Sequence, residues 1–385
     1  MRVAFLTNVL SPYRVPLFEK LAETTGWDLR VFVNAGNEFD RSWHDVKTDV
    51  AVQPVRTLTI RRKVRTLQPV ACEQVVELHM PYGLGRSLRQ FAPDVVISLE
   101  LGPRSIAAAA YCERAGIPLI VWSYQSRAAA TMTGWLRRMA RRFIMSRTKA
   151  FVGMGTQARE VLLHAGVKAD RIFDAPNAAD QVSIEQRLAD PETAVRAAVI
   201  RQQFRGDRII VVIGRLVPMK AAPEIVALWR SLDSDARAGW KLVFVGDGPL
   251  AHAVRGLEHE GIHHTGHVPT ECVTDWLVAA DLHLFASLVD VWGLVVSEAM
   301  LCGTPTLCSI HAGCSDDVIE DCVDGWLFDP INVNSWRHRL SGLLQNDDLA
   351  QFGARARISS RRFGIDRMAS GFRMAVRAVA GRAAY

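Results

Sequence analysis

Residues 207–220 read DRIIVVIGRLVPMK, and residues 221–232 continue as AAPEIVALWRSL. Every position from Ile209 to Ile213 is β-branched and apolar, with no polar residue alternating between them. Such a run suits a strand covered on both faces, as in a parallel sheet. A loop bearing Gly214, Arg215 and Lys220 follows, and after it apolar residues return at helical spacing. Strand, loop and helix in that order form the repeating unit of an α/β protein.

The same alternation extends in both directions. Towards the C-terminus, the strands KLVFVGDG, HHTGHV, DLHLFAS and TPTLCS are separated by the helical patterns AHAVRGLEHE, ECVTDWLVAA and GLVVSEAMLCG, and a helical region closes the chain from Ser335. Towards the N-terminus, RVAFLTNV, DLRVFVN, PDVVISLE, PLIVWSY and KAFVGMG read as strands, with SPYRVPLFEKLAETTG and SIAAAAYCERAG as helices. A polar, helix-capable stretch from Gln181 to Gly206 interrupts the rhythm. Two Rossmann-like halves are therefore expected, residues 1–180 and 181–361, with ligands beyond the carboxyl ends of the strands and in a cleft between the halves.

The chain has 385 residues, of which 49% are hydrophobic and 22% charged, with no low-complexity tract. This composition excludes disordered, collagen-like and coiled-coil classes. Asn8, Ser11, Pro12 and Arg14 cut short the apolar start, so no secretory leader is expected, and no apolar run approaches the roughly 20 residues that span a bilayer. The seven cysteines form no C-x-x-C pair and suit reduced thiols in a cytosol. The expected localisation is cytoplasmic.

Charge is uneven. Residues 1–180 hold 25 Lys/Arg against 16 Asp/Glu, and residues 181–385 hold 21 against 24. The basic side chains concentrate in Arg61, Arg62, Lys63 and Arg65 and in GWLRRMARRFIMSR (134–147). Such blocks fit an anionic partner or a solvated helix face. The second block also sets Trp135, Leu136, Met139, Phe143 and Ile144 against five arginines, which fits either attachment to an anionic membrane surface or a helix packed on its sheet. No reading module or aromatic-interleaved basic stripe points to nucleic acid.

Three loops carry the chemistry. Arg215 offers a forked pair to phosphate oxygens and Lys220 a point charge, while Gly214 lets backbone approach closely. Gly246-Asp247-Gly248 follows a strand, but Ala251 holds the third glycine's place of a dinucleotide fingerprint. The turn is thus either a tight connection or a nucleotide-lining loop. In DVWGLVVSEAMLCGTP (290–305), Asp290 and Glu298 stand eight apart with Gly293 opening a helix between them, and free amides around Trp292 to Val295 suit a phosphate.

GRLVPMK, VGDGPL and DVWGLVVSEAMLCGTP together resemble the retaining GT-B glycosyltransferases of family four, the glycosyl transferases group 1. The resemblance extends to the SPYRVPLF opening, the Pro176-Asn177 turn, GHV ending at Val268 and the last helix, about 362–385, which by the resemblance crosses back to the first domain. It implies a GT-B fold of two Rossmann-like domains facing a cleft and transfer from a nucleotide-diphosphate sugar without metal or cofactor. By the same resemblance Arg215 and Lys220 hold the diphosphate, Glu298 the ribose, Asp290 the donor sugar, Leu294 and Val295 the phosphate through their amides, and Val268 the base.

Two departures stand out. A Gly-Gly pair common in the family's first loop is replaced by bulkier Val9-Leu10-Ser11-Pro12-Tyr13-Arg14, and a frequent histidine gives way to Ser123, Tyr124 and Gln125. Pro12, Tyr13, Arg14, Tyr124 and Gln125 are the expected acceptor-side residues. The trio His263, His264 and His267 and the pair Asp233 and Asp235 read as ordinary solvated groups rather than metal ligands. The expected activity is transfer from a UDP- or GDP-linked sugar to a saccharide or lipid-linked acceptor. The 39 arginines against 7 lysines suit a GC-rich bacterial genome, and so surface-polysaccharide or glycolipid synthesis. Competing readings are a GT-B isomerase or hydrolase, which would consume donor alone, and a non-catalytic nucleotide-sugar-binding subunit.

Overall fold

The computed structural model describes residues 1–34, 46–66, 72–127 and 135–381. The chain divides into two compact units. One holds Met1–Thr66, Glu73–Asn177 and the segment from Ile365 onward, and the other holds Ala178–Gly364.

The first unit is built on β1 (Arg2–Thr7), β2 (Asp28–Val33), β3 (Ala51–Pro54), β4 (Leu58–Thr66), β5 (Cys72–Met80), β6 (Val95–Leu99), β7 (Leu119–Ser123), β8 (Thr148–Gly153) and β9 (Ile172–Asp174). Seven of these form a parallel sheet in the order β3-β2-β1-β6-β7-β8-β9, and β4 and β5 form a separate two-stranded sheet. All five residues of β6 and of β7 are buried, as their uninterrupted apolar runs require.

The second unit carries β10 (Arg208–Ile213), β11 (Trp240–Val245), β12 (Ile262–His264), β13 (Leu282–Phe285), β14 (Thr306–Ser309) and β15 (Trp326–Phe328). Their order is β12-β11-β10-β13-β14-β15, again all parallel. Counted from β10 this is 3-2-1-4-5-6, the dinucleotide-binding order, and its direction reverses between β10 and β13. The polar stretch after Asn177 becomes two capped helices: Asp180 accepts from Ser183 N at 3.1 Å, and Asp190 from Glu192 N at 3.1 Å.

Several expectations are corrected. AHAVRGLEHE forms only the one-turn 3₁₀ segments Ala251–Ala253 and Glu258–Glu260, because Gly256 and Gly261 take φ of 72° and 75° and break any continuous helix. Arg61, Arg62 and Lys63 lie on strand β4, not on a helix face, and Arg61 pairs with Glu77 of β5 at 2.8 Å. Strands β3, β4, β5, β9 and β15 were not legible as strands. The second basic block does form a helix, Trp135–Arg147. Among the described residues six cysteines are free, with Cys112, Cys308 and Cys314 buried.

The helix Ile365–Ala380 belongs to the first unit. Its Phe372 packs 5.1 Å from the ring of Trp122 and 5.6 Å from that of Phe5. Gly371 faces the end of β9 so closely that a Cβ would stand 2.3 Å from Asp174 O and 2.8 Å from Ala175 Cβ. Deep in the second sheet, His283 is fully buried on β13 with Nδ1 3.3 Å from Thr306 Oγ1. Burial, helped by the Lys220 charge, pushes its imidazole down to about 3.

Two outcomes follow. Gly371→Ala should destabilise the protein by about 1–3 kcal/mol through overpacking, although alanine is favoured over glycine within a helix by about 1 kcal/mol. A raised urea midpoint would show that the helix is not seated there. His283 stays neutral in the folded chain but takes up a proton near pH 6.5 when unfolded, so stability should fall as pH drops from about 6.5 towards 3. Urea titrations across that range should show a shallower fall for His283→Asn.

Candidate functional site

The loops after β10 and β13, the two strands that flank the reversal, build the site. After β10, Gly214 takes φ 145° and the chain runs through Arg215 into the 3₁₀ turn Pro218–Lys220. After β13, it runs through Ser287 and Asp290 to Gly293, which caps the helix Leu294–Leu301. Leu288 N donates to Met219 O at 2.9 Å, so the two loops are joined through backbone. A small open pocket lies between them, lined by Gly214, Arg215, Lys220, Phe285 and Ser287 among others.

Lys220 Nζ sits 2.6 Å from Asp290 Oδ2 and 4.4 Å from the centre of the Phe285 ring. The side chains of this pair are only 25% and 17% exposed. The other carboxylate oxygen of Asp290 accepts from Trp292 N at 3.0 Å, so that amide is not free for a phosphate as expected, and the Asp290 backbone is zipped to the loop after β14 through His311 O and Gly313 N. Asp290 is therefore held from three sides. An ammonium has three donors, so Lys220 keeps two for a ligand while bonded to Asp290.

Gly293 must be glycine. Its φ is 100°, and a Cβ would stand 2.9 Å from the Phe285 ring and 3.4 Å from Cys314 Sγ. The first N–H groups of the following helix, including those of Leu294 and Val295, have no partners within it by construction. Glu298 lies in the second turn, half-buried, and forms no ion pair among the described residues. Burial raises its carboxyl to about 7.

Gly246 is placed differently from a ligand-facing glycine. Its amide donates to Gly266 O at 2.9 Å, and a Cβ would lie 2.1 Å from Gly214 O. Gly248 is likewise pressed on Leu216 O. These glycines let the loop after β11 pack on the loop after β10, so they shape the site from behind. Val268 is half-buried and, like Val295, flanks the core cluster of Ile209, Val211 and Val243. His264 Nε2 bonds Gly246 O at 2.8 Å, and among the described residues no three His, Cys, Asp or Glu side chains are grouped to hold a metal.

In the first unit, Pro12–Arg14 forms a 3₁₀ turn after β1. Arg14 lies 5.5 Å from the Tyr13 ring and 5.6 Å from the Trp122 ring, and Tyr124 stacks edge-on against Trp122 at 6.5 Å. Tyr13, Arg14 and Tyr124 are thus brought together, while Pro12 is exposed and Gln125 half-buried beside them. The sequence reading missed Glu100 and Arg104, although a strand-end carboxylate followed by Gly-Pro-Arg was the available signal.

Residues 198–359 match the family described as Glycosyl transferases group 1, and residues 11–178 match the Glycosyl transferase 4-like domain. The D-inositol 3-phosphate glycosyltransferase of Xylanimonas cellulosilytica is 31% identical over 225 residues, covering 56% of this chain and 53% of that protein. The O-antigen chain mannosyltransferase B of Escherichia coli is 28% identical over 141 residues, covering 35% of this chain and 36% of that protein. The chain spans about half or less of the length of the curated relatives it matches. HepE of Anabaena, solved in complex with UDP, aligns over 98% of this chain and 99% of its own with a TM-score of 0.74 at 16% identity. That likeness is one of fold, and the fold is GT-B. With both halves matched, the chain belongs to the glycosyl transferases group 1.

Proposed function

We propose that the protein transfers a sugar, with retention of anomeric configuration, from a nucleotide-diphosphate sugar to a saccharide or lipid-linked acceptor. The observation that carries this reading is the pairing of Lys220 with Asp290 beside Arg215, at the point where the second sheet reverses direction. In this reading Arg215 and Lys220 hold the diphosphate and stabilise the charge that gathers on it as the glycosidic bond breaks. Because the fixed cations supply that charge, no divalent metal is required, and chelator should leave the rate unchanged. Asp290 orients the donor sugar, Glu298 accepts from the ribose hydroxyls, and Val268 lines the base. The first unit takes the acceptor.

The names of relatives support a place in the synthesis of bacterial surface polysaccharide or glycolipid, since one is an O-antigen chain mannosyltransferase. HepE solved with UDP-glucose supports a UDP-linked donor, with GDP as the alternative. Trp135 and Met139 are 62% and 63% exposed on the basic helix beside Arg142, which supports peripheral contact with an anionic membrane from the cytoplasmic side.

Melting of the purified protein should rise with UDP or GDP, by about 2.7 kcal/mol of stabilisation at a hundredfold excess over Kd. Lys220→Ala should lower kcat/KM about 10²–10³-fold and, because Asp290 then loses its partner, should also lower melting without ligand. Unchanged transfer by that variant would overturn the assignment, and proton NMR of the new linkage tests retention. Since Glu298 ionises only near pH 7, nucleotide affinity should increase as pH rises from about 6 to 8. Glu298→Gln should flatten that dependence in a calorimetric titration.

A further inference from the structure

The first sheet has its own reversal, at β1, whose neighbours are β2 and β6. Charged groups converge on the loops there. Arg14, after β1, donates from Nη1 to Thr7 Oγ1 at 2.8 Å and, among the described residues, makes no ion pair. Arg104 opens the helix Pro103–Ala115 that follows β6. It is 3% exposed, donates from Nη1 to Asn8 Oδ1 and from Nη2 to Leu99 O at 2.6 Å, and its Nε has no partner. Burial pulls its guanidinium down to about 10, with Glu100 opposing that fall and Arg14 adding to it, so both groups lie within electrostatic reach.

Glu100, at the end of β6, takes φ 68°. A non-glycine residue in that region costs about 1–3 kcal/mol, and such strain clusters at binding sites. Tyr124 donates its hydroxyl proton to Glu100 Oε1.

A second observation stands apart from the charges. Ser11 Oγ, both side-chain polar atoms of Asn34, Trp122 Nε1 and Ser123 Oγ are buried without a hydrogen-bond partner, and all belong to the carboxyl ends of β1, β2 and β7 or the loops just beyond. Buried polar atoms are almost always paired, so a group of orphans at one sheet edge marks a place for a polar ligand. The second unit shows the same signature in Ser287 Oγ and Trp292 Nε1 beside its pocket. Two guanidiniums face one carboxylate, so the edge is net positive, and the N-terminus of the helix from Pro103 adds to it. A neutral sugar would offer Arg14 no anionic partner.

We propose that this edge recognises an acidic group, a phosphate or a carboxylate, on a hydroxyl-bearing acceptor, with Arg14 pairing the acid and Glu100 accepting from a hydroxyl. The proposal rests on the reading of the first unit as the acceptor side and adds the chemical class of the acceptor.

The test removes the donor-side cations first, so that anion binding reports on this edge alone. Glucose 6-phosphate, glucuronate and glucose are titrated calorimetrically into the full chain carrying Arg215→Ala and Lys220→Ala, with and without Arg14→Gln. At least one acidic sugar should bind tenfold or more tightly than glucose, and which of the two does so assigns phosphate or carboxylate. Arg14→Gln should bring it within about twofold of glucose, and Arg14→Lys should keep part of the preference, which also covers a glutamine variant that fails to fold. Equal binding of the three sugars, no binding of either acid, or a preference that survives Arg14→Gln overturns the proposal. The donor reading fails separately, if the unsubstituted protein binds neither UDP nor GDP.

Discussion

The ammonium of Lys220, 2.6 Å from Asp290, ties together the loops that follow β10 and β13. Those strands are neighbours in the sheet but lie on opposite sides of its change of direction, so their loops diverge towards different helices. A charge pair, backed by the Leu288–Met219 backbone bond, holds the diverging loops at a fixed separation. In the proposed reading, a diphosphate entering there would meet cations already in place, which is how fixed charge stabilises a leaving group without reorganisation. The three anchors of Asp290 keep its carboxylate close to Lys220.

Glycine spacing enforces the same geometry from behind. Gly246, Gly248 and Gly313 each bring backbone within a distance that no side chain would tolerate, against Gly214, Leu216 and Val291 respectively. Gly293 adds a left-handed turn pressed on Phe285, and Phe285 in turn lies under Lys220. The site is thus a stack of close loop contacts in which a cation, an aromatic ring and a glycine share one position.

Much of this was legible in the residues. The apolar runs at β1, β2, β6, β7, β8, β10, β11, β13 and β14 are long or continuous enough to stand out as buried strands, and the motifs at Arg215, Lys220 and Asp290 fall in the loops that the strands dictate, with Glu298 on the helix that follows. Of the three-residue strands, β12 was read within HHTGHV while β9 and β15 were not legible, since three residues show no period of their own. The β4–β5 pair was hidden by its charges: Arg61 and Glu77 neutralise one another across the ladder, a relation between residues sixteen apart that no local pattern displays.

The sequence by itself determined the two parallel α/β units, most of their longer strands, and which residues stand in strand-end loops, since hydrophobic period and turn residues are local properties of the chain. Only the tertiary structure decided that Lys220 reaches Asp290, that Gly246 serves loop packing, that Glu100 is strained beside Arg104, and that the last helix seats Gly371 on β9. Each of these depends on strand order, and strand order is set by how distant segments bury one another, which no window of sequence records.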